Sequence, residues 1–328
     1  MFGGVAYRPP ARVLSFLRDV RAVRAVLRDW RPDIVHSHGS QDTWVAVAAN
    51  RWAGGPRLPH VLTRHNTKRV ADSAANRYLY GRCVDLLVVA AGGVLDRYEP
   101  FLRRGILRQD RIAVIHSSVD VEKFSRPAEP DRIRAELGLG PDNLLVGCVG
   151  RLVKDKGQRW LLDAAAALRG SHPRLFFVLV GTGTEEAALR RQASCLGLTD
   201  RVFFLGFRED MADITAALDL SVLPSVDCDA SSAAIKEAML MGKPVVATDI
   251  GGAREIIRPE AAGLVVPPGD PAALARAIAR ILDAPGEARQ MGIRGREIVL
   301  TDYTTGRLAD RYLEAYRSAA ARSGGTSA

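Results

Sequence analysis

The 328-residue sequence is poor in cysteine, and it contains no C-x-x-C pair of the kind that binds zinc. Its four cysteines lie far apart, as is typical of reduced thiols. The longest nearly uncharged apolar run, Leu86 to Leu95, is too short to cross a bilayer. No basic segment followed by an apolar stretch and a small-residue cleavage site opens the chain. We therefore expect a cytoplasmic protein that is not secreted, membrane-spanning or built on a zinc finger.

The charge of the chain is unevenly distributed. The composition is 47% apolar and 25% charged, as in ordinary globular proteins, and the net charge is +9. Residues 1–125 contain 20 of the 46 basic side chains but only 11 of the 37 acidic ones, so all of the excess lies there. This asymmetry favours an anionic partner for the first part, such as a membrane surface, nucleic acid or phosphate. A general bias toward arginine codons explains it equally well.

Strand-like and helical patterns alternate along the chain. Between Ala11 and Trp30, apolar residues recur at helical spacing and arginines line another side. A polar stretch with two prolines, 120–131, separates two such alternating series. The pattern predicts an α/β protein with two Rossmann-like, doubly wound domains facing a cleft. We place the domains at 1–125 and 126–302, followed by a helix and loose tail over 303–328.

The first candidate site is a glycine-rich segment from Gly147 to Gly157, which runs from a predicted strand to a helix. Glycines allow a backbone to approach a ligand closely, and Arg151 and Lys156 bring two positive charges to that position. This combination suits a diphosphate, although a basic turn with solvated side chains is an equal alternative. The segment matches neither a Walker loop nor the dinucleotide fingerprint, and Gly181-Thr-Gly183 is too weak to indicate a dehydrogenase.

The second candidate site runs from Pro224 to Glu255. A helix is predicted to start near Ser232, so that free amides around Ser232 and Ala233 point toward a phosphate. Asp229 precedes this helix and Glu237 lies about two turns into it, so one carboxylate suits sugar hydroxyls and the other a ribose diol. The alternative is that the first acid only caps the helix and the second is solvated.

At these residues the sequence resembles glycosyltransferase family 4, whose members are retaining, metal-independent enzymes of the GT-B fold that use nucleotide-diphosphate sugars. The resemblance covers most of the chain. It rests on four motifs: Gly-Arg…Lys-Gly (150–157), Leu-Val-Gly-Thr-Gly (179–183), Val-Phe-Phe-Leu-Gly-Phe (202–207) and Glu-Ala-Met…Gly-Lys-Pro-Val-Val-Ala-Thr-Asp…Gly-Gly…Glu (237–255). Two alternatives are a catalytically impaired paralogue that binds nucleotide-sugar or a partner protein, and a sugar-nucleotide epimerase of similar fold.

The resemblance assigns roles to the residues of the second domain. It implies that Arg151 and Lys156 hold the diphosphate, that Glu237 holds the ribose, and that the backbone at Gly206 and Phe207 flanks the base. Asp229 stands where the family usually has glutamate, one methylene longer, so its contacts with the donor sugar and the sugar preference are expected to differ. No metal and no cofactor besides the donor is implied.

The resemblance also assigns a residue of the first domain. Thr63-Arg64-His65 matches the segment that supplies the family's active-site histidine, and His65 is expected to contact the donor sugar or stabilise developing charge. His36 and His38 belong to a matching strand end and are expected to shape the cleft. Metal binding by these three histidines is disfavoured because no carboxylate or cysteine accompanies them at useful spacing.

The beginning of the chain departs from the family, whose members open with a strand, a glycine-rich loop and a helix. Here Met1-Phe-Gly-Gly leads directly into a helix, and we expect the first domain to be incomplete. Either Met1 is internal to a longer reading frame, or the short form is real and its nucleotide domain survives with weak or no transfer. The expected acceptor is lipid-linked, cell-envelope or polysaccharide. The arginine-lined helix 11–31 is expected to attach to anionic lipid at the cytoplasmic membrane face. Nucleic acid is not expected, because no recognition motif or interleaved aromatics appear.

Overall fold

The computed structural model describes residues 11–52, 57–65, 69–227 and 229–324. The glycines expected before the first helix, and the end of the expected tail from 325, lie outside these ranges. The described strands are β1 (Val35–Ser37), β2 (His60–Arg64), β3 (Leu86–Val89), β4 (Ile112–Val114), β5 (Leu144–Val149), β6 (Leu175–Val180), β7 (Val202–Gly206), β8 (Leu220–Leu223), β9 (Val245–Thr248) and β10 (Gly263–Val266).

Helices fill most of the connections between these strands. The α-helices of the described ranges are α1 (Ala11–Trp30), α2 (Gln41–Arg51), α3 (Ala74–Tyr78), α4 (Glu99–Arg103), α5 (Pro130–Glu136), α6 (Gln158–Leu168), α7 (Glu186–Cys195), α8 (Met211–Ala217), α9 (Ala233–Leu240), α10 (Ala253–Ile257), α11 (Pro271–Leu282), α12 (Pro285–Asp302) and α13 (Thr305–Gly324). Short 3₁₀ segments cover Gly92–Tyr98, Gln109–Arg111, Glu122–Phe124 and Lys154–Lys156, and a π-helical turn covers Leu79–Cys83. Among the residues described, no helix has the length and apolar character needed to span a bilayer.

The first sheet contains β1 to β4 in sequential order, and every pairing is parallel. Arg64 pairs with Val89 at the ends of β2 and β3, so the residues that follow these strands emerge at one edge. The last helix returns to this sheet, because Ala315 and Ala319 of α13 are buried in one cluster with Val61 of β2. Helix α13 therefore forms part of the first domain's core although it is last in the chain.

The second sheet has the order β10-β9-β8-β5-β6-β7, again parallel throughout. The strand order reverses between β5 and β8, and in such sheets ligands bind at the carboxyl ends of the strands beside that reversal. The inner strands are nearly continuous apolar runs, as expected for strands covered on both faces. The two loops at the reversal follow Val149 and Leu223, and they contain the residues proposed from the sequence.

The predicted elements agree closely with the structure in the second domain. The apolar runs 144–149, 175–180 and 220–223 of the sequence are the strands β5, β6 and β8, and the helix predicted from residue 11 to 30 is α1. Strand β10 and helix α12 had no counterpart in the prediction. The polar stretch 120–131, expected as a linker, contains a 3₁₀ turn and the first residues of α5.

Candidate active site

The two sheets meet through the loops at their carboxyl edges. Ala230, in the loop after β8, is buried in the same apolar cluster as Ala90 and Ala91, which follow β3. A Cβ built on Gly93 would lie 2.5 Å from the carbonyl oxygen of Gly251, in the loop after β9. Only glycine permits this approach. The loops after β3, β8 and β9 therefore form a contact surface between the domains.

Glu255, a carboxylate of the second domain, links these loops to the first domain. Glu255 accepts hydrogen bonds from the backbone amides of Gly92 and Gly93, at 3.1 and 3.0 Å. His116, after β4, lies with Nε2 2.9 Å from the same carboxylate. The hydrogen bond from His116, with help from the two amides, holds the pKa of Glu255 below its usual value. Glu255 is therefore stabilised as an anion within the interface.

The loop after β5 is shaped by close contact with its neighbours. Gly157 has a φ of 67°, and a Cβ there would lie 2.0 Å from the carbonyl oxygen of Pro224. The backbone of the loop after β8 can therefore lie directly against it. Arg151 projects from this loop as an exposed side chain, whereas Lys156 is half-buried. Both cations lie at the mouth of the strand-order reversal, where the sequence predicted them.

Lys156 and Asp229 form an ion pair across these two loops. The Lys156 ammonium donates to Asp229 Oδ2 over 2.8 Å, and the Ser225 hydroxyl donates to the same oxygen over 2.9 Å. Asp229 is only 8% exposed, so its charge is stabilised by these partners more than by water. The structure thus joins directly the residue proposed for the diphosphate and the residue proposed for the sugar.

Helix α9 begins beside this pair. Ser232 is its N-cap, and its hydroxyl accepts a hydrogen bond from the Ile235 amide over 3.5 Å. The first amides of a helix have no intrahelical acceptor, and here those of the first turn begin at exposed Ala233. Ser232 and Asp229 line one crevice with Ser225 and Thr248. The helix terminus and the ion pair thus lie beside one buried crevice.

Glu237 lies farther along α9 and is half-buried. Burial raises its pKa, and the nearby ammonium groups of Lys123 and Lys236 oppose this effect. A half-buried carboxylate beside these cations is suited to accept hydrogen bonds from a diol. The sequence assigned no role to Lys236, a completely buried lysine among apolar residues of α9. Its only signal was a second charge, next to Glu237, in a helix whose other residues are apolar.

Gly206 and Phe207 close β7, at one edge of the second sheet. Gly206 has a φ of 64° and its carbonyl accepts a hydrogen bond from the Gly181 amide over 2.7 Å. Phe207 is 74% exposed, although a ring of this size is usually covered in a folded protein. The exposed ring and the free face of the neighbouring backbone therefore form a flat apolar surface at the end of β7.

Three histidines of the first domain are joined at the ends of β1 and β2. His36 contacts Tyr316 of α13 through Nδ1 and Thr63 through Nε2, each over 2.8 Å, and burial lowers its pKa to about 4. His38 Nδ1 lies 3.0 Å from Nε2 of exposed His65, and their rings stack. Burial, and to a smaller extent His38, lowers the pKa of His65. His65 is therefore a neutral imidazole near neutral pH.

His65 and Asp229 lie in strand-end loops of opposite domains, at the edges that meet. His65 follows the Arg64–Val89 pair and so lies level with Ala90, which packs with Ala230 beside Asp229. Within the described ranges, no group of three or more histidine, cysteine or acidic side chains is arranged to hold a metal ion. The site consists of two cations, two acids, a helix N-terminus and a neutral histidine, a set suited to binding a polyhydroxylated diphosphate.

Comparison with known proteins places this site in a family. Residues 2–123 match the family model "Glycosyltransferase Family 4", and residues 143–284 match "Glycosyl transferases group 1". The chain is 30% identical over 327 residues to a 2-deoxystreptamine N-acetyl-D-glucosaminyltransferase of Streptomyces fradiae, covering 91% of this chain and 74% of that protein. It is 31% identical over 349 residues to a D-inositol 3-phosphate glycosyltransferase of Salinispora tropica, covering 95% and 69%.

Solved structures agree with these matches. Anabaena HepE in complex with UDP superimposes with a TM-score of 0.80 at 27% identity, covering 91% of this chain and 82% of that one. A Rickettsia africae glycosyltransferase has the same fold, with a TM-score of 0.82 at 19% identity and coverage of 97% and 84%. The chain therefore belongs to glycosyltransferase family 4 and is a glycosyltransferase with the two Rossmann-like domains of the GT-B fold.

Proposed function

We propose that the protein transfers a sugar from a uridine-diphosphate donor to an alcohol with retention of anomeric configuration and without a metal ion. The observation that carries this proposal is the Lys156–Asp229 ion pair at the N-terminus of α9, with the exposed Arg151 in the same loop as Lys156. The uridine donor is supported by HepE, whose crystal structures contain UDP and UDP-glucose at 27% and 26% identity to this chain.

The diphosphate binds at the strand-order reversal. Arg151 offers a planar fork of donors, and Lys156 keeps two of its three protons for phosphate oxygens while the third stays on Asp229. The amides at Ser232 and Ala233 add uncharged donors at the positive end of α9. Two cations and a helix terminus stabilise a diphosphate most when it leaves with its full charge, so these groups assist departure as well as binding.

The rest of the donor extends to either side of the diphosphate. Glu237 accepts hydrogen bonds from the ribose diol, and the base lies against the backbone at Gly206 and the ring of Phe207. Asp229 bonds the donor sugar through its second carboxylate oxygen, since the first already accepts from Lys156 and Ser225. Because aspartate is one methylene shorter than glutamate, this contact selects a sugar that lies closer to the loop after β8.

The transfer step requires no protein nucleophile. The bond between the anomeric carbon and the β-phosphate oxygen breaks, and the acceptor oxygen bonds that carbon from the same face. The acceptor proton passes to the departing diphosphate, so the charges balance. His65, a neutral imidazole, donates a hydrogen bond to a sugar hydroxyl and so holds the sugar in the orientation that transfer requires.

For the acceptor we propose a polyhydroxylated ring alcohol. The relatives named above act on 2-deoxystreptamine and D-inositol 3-phosphate, which are both cyclitols. The lipid-linked or glycan acceptor expected from the sequence is the second candidate. It is favoured by α1, on which Arg21, Arg24 and Arg28 are exposed together with Leu14 and Trp30, whose exposed fractions are 72% and 79%. A surface of this composition suits an anionic membrane.

A donor and acceptor screen tests the proposal. UDP- and GDP-sugars are combined with cyclitols, lipid-linked acceptors and glycans, with and without EDTA, and the anomeric configuration of the product is read by NMR. We expect turnover of a UDP-sugar that is unaffected by EDTA and gives a retained configuration. Replacing Arg151 and Lys156 together by alanine should abolish it, and an unchanged kcat/KM would refute the assignment. UDP binding by calorimetry without any turnover would instead favour an impaired paralogue.

A further inference from the structure

Lys236 is a completely buried lysine at the interface of the two domains. Its ammonium lies 2.5 Å from the Ser117 carbonyl oxygen, 2.6 Å from the Ser117 hydroxyl and 3.0 Å from the Ser231 hydroxyl. It also lies over the Tyr303 ring, 5.7 Å from the centroid. All three ammonium protons therefore have an oxygen partner, and these partners come from both domains.

Burial of the Lys236 ammonium costs free energy, so its presence needs an explanation other than the filling of space. Removal of an ammonium from water is costly, and burial lowers the pKa of Lys236 to about 8 although Asp229 and Glu237 oppose the shift. Its buried neighbours on α9, Ile235, Ala238 and Met239, are apolar. Leucine or methionine would fill the same volume without that penalty. The lysine is therefore explained by the segments that its ammonium joins.

The partners of Lys236 lie directly beside the donor site. Ser231 stands between Asp229 and the N-cap Ser232, in the loop that carries the ion pair with Lys156. Ser117 follows β4 of the first domain, and its amide and hydroxyl both contact Ser231, over 3.2 Å. The Lys236 ammonium and these direct serine contacts therefore tie the segment 229–232 to the opposite domain.

We propose that Lys236 is a positioning residue. It couples the placement of the first domain to the geometry of the segment 229–232, which contacts the donor sugar. Its hydrogen bonds to Ser117 and Ser231 fix the position of Asp229 and of the first α9 amides relative to the face of the first domain on which His65 lies. Without them the diphosphate still binds Arg151 and Lys156, but the sugar is no longer aligned between the domains. This inference rests on the proposed function for its catalytic consequence, whereas its structural consequence can be measured independently.

The structural consequence is tested by hydrogen exchange on the full chain without substrate. In Lys236→Met, amides in 115–119 and in 229–235 should exchange faster together, because one group holds both segments. Lys243→Met is the matched control. Lys243 is a half-buried lysine of the second domain. Its ammonium donates to the Ala216 carbonyl over 2.7 Å, away from the interface. In that variant neither segment should change.

The catalytic consequence is tested with a UDP-sugar that the wild type turns over. Lys236→Met should lower kcat on the order of 10- to 100-fold, the effect expected of misalignment. UDP affinity should fall less than kcat does, through the lost charge beside Glu237. Ser231→Ala and Ser117→Ala, which keep the lysine, should show the same pattern more weakly. The effects of Lys236→Met and Ser231→Ala on kcat should be non-additive, since they remove one contact.

Faster exchange confined to 229–235, or additive effects on kcat, would overturn the inference. If Lys236→Met does not fold, the two serine variants decide the matter by the same measurements. If the wild type turns over no nucleotide-sugar, the proposed function fails, yet the exchange experiment still reports whether Lys236 couples the two segments.

Discussion

Lys156 and Asp229, which are 73 residues apart in the chain, are joined by a hydrogen-bonded ion pair of 2.8 Å. Their side chains are 18% and 8% exposed, so each is the other's main source of charge compensation. Removal of one member of such a pair leaves a poorly solvated charge, and the donor site is already organised before any ligand arrives.

Replacement of Lys156 by methionine should reduce both activity and stability. We expect a loss in kcat/KM on the order of 100-fold, because a diphosphate contact disappears. We also expect the free energy of unfolding to fall by about 3 kcal/mol, because Asp229 loses its cation. Lys154→Met, in the same loop but fully exposed, is the matched control. Equal effects in the two variants, measured by kinetics and urea unfolding, would contradict the assigned role.

Replacement of Glu237 by glutamine should lower the affinity for UDP and raise the stability of the fold. Burial raises the pKa of Glu237, so the ionised form is unfavourable in the folded enzyme and this penalty grows as the pH rises. The neutral amide should therefore raise Tm at pH 7 and have a smaller effect near pH 4. UDP affinity should fall at least about 10-fold, because the charge-assisted bonds to ribose are lost. Calorimetry with UDP and thermal unfolding at both pH values measure this, and a lower Tm at pH 7 would contradict it.

His65 should act as a neutral hydrogen-bond donor. Burial lowers its pKa below the ordinary value of 6.5, so protonation begins only at more acidic pH and kcat should remain level from pH 8 to pH 6.5. His65→Ala should reduce kcat by about 100-fold. His65→Asn, which keeps a donor, should recover part of this loss. An asparagine variant no better than alanine would point to a role other than hydrogen bonding.

The second domain could be predicted well because its signals are local. Strands β5, β6 and β8 are apolar runs, broken only by Gly147 and Ser221, and each is followed by a glycine or proline and then by the motif residues. Strand β10 was missed because it is four residues long and lacks a flanking helical pattern on its N-terminal side. Helix α12 was missed because glycines at 286, 292 and 295 interrupt its helical pattern.

The contacts between the domains could not be predicted, because they join residues that are distant in the chain. Lys236 and Ser117 are 119 residues apart, and Tyr316 reaches His36 across 280 residues. A sequence pattern shows that a residue is polar, but not which oxygen meets it after folding. The burial of Lys236, and the anchoring of Glu255 by glycine amides, depend on tertiary packing alone.

Association with an anionic membrane should depend on α1. Arg21 and Arg24 are exposed on this helix, and each should contribute about 1 kcal/mol on a surface rich in anionic lipid. Replacing both with glutamine should weaken binding to phosphatidylserine-containing vesicles about 30-fold. Arg276 and Arg289, exposed on α11 and α12, provide a charge-matched control pair. Equal loss in both double variants during vesicle flotation would show that only net charge matters.

Stability should fall steeply between pH 6.5 and pH 4.5 because two buried histidines must stay neutral. Burial lowers the pKa of His36 and of His60 to about 4, against 6.5 in the unfolded chain. In this window the unfolded state binds more protons, so the free energy of unfolding decreases with acidification, by up to about 1.4 kcal/mol per pH unit for each histidine. Glu237 acts with the opposite sign, since its pKa is raised.

Urea unfolding at pH 6.5, 5.5 and 4.5 measures this slope. His60→Gln and His36→Gln each remove one titrating group, so each should make the slope shallower, and the double variant should make it shallower still. Asp210 adds little to this slope, because the Arg208 hydrogen bond holds its pKa far below the ordinary value of 3.8 and its contribution is lost mainly in stronger acid. Glu255, whose pKa is also lowered, adds to the fall near pH 4.5 in the wild type and in the histidine variants alike. A double variant with the wild-type slope would show that the histidines are not the source.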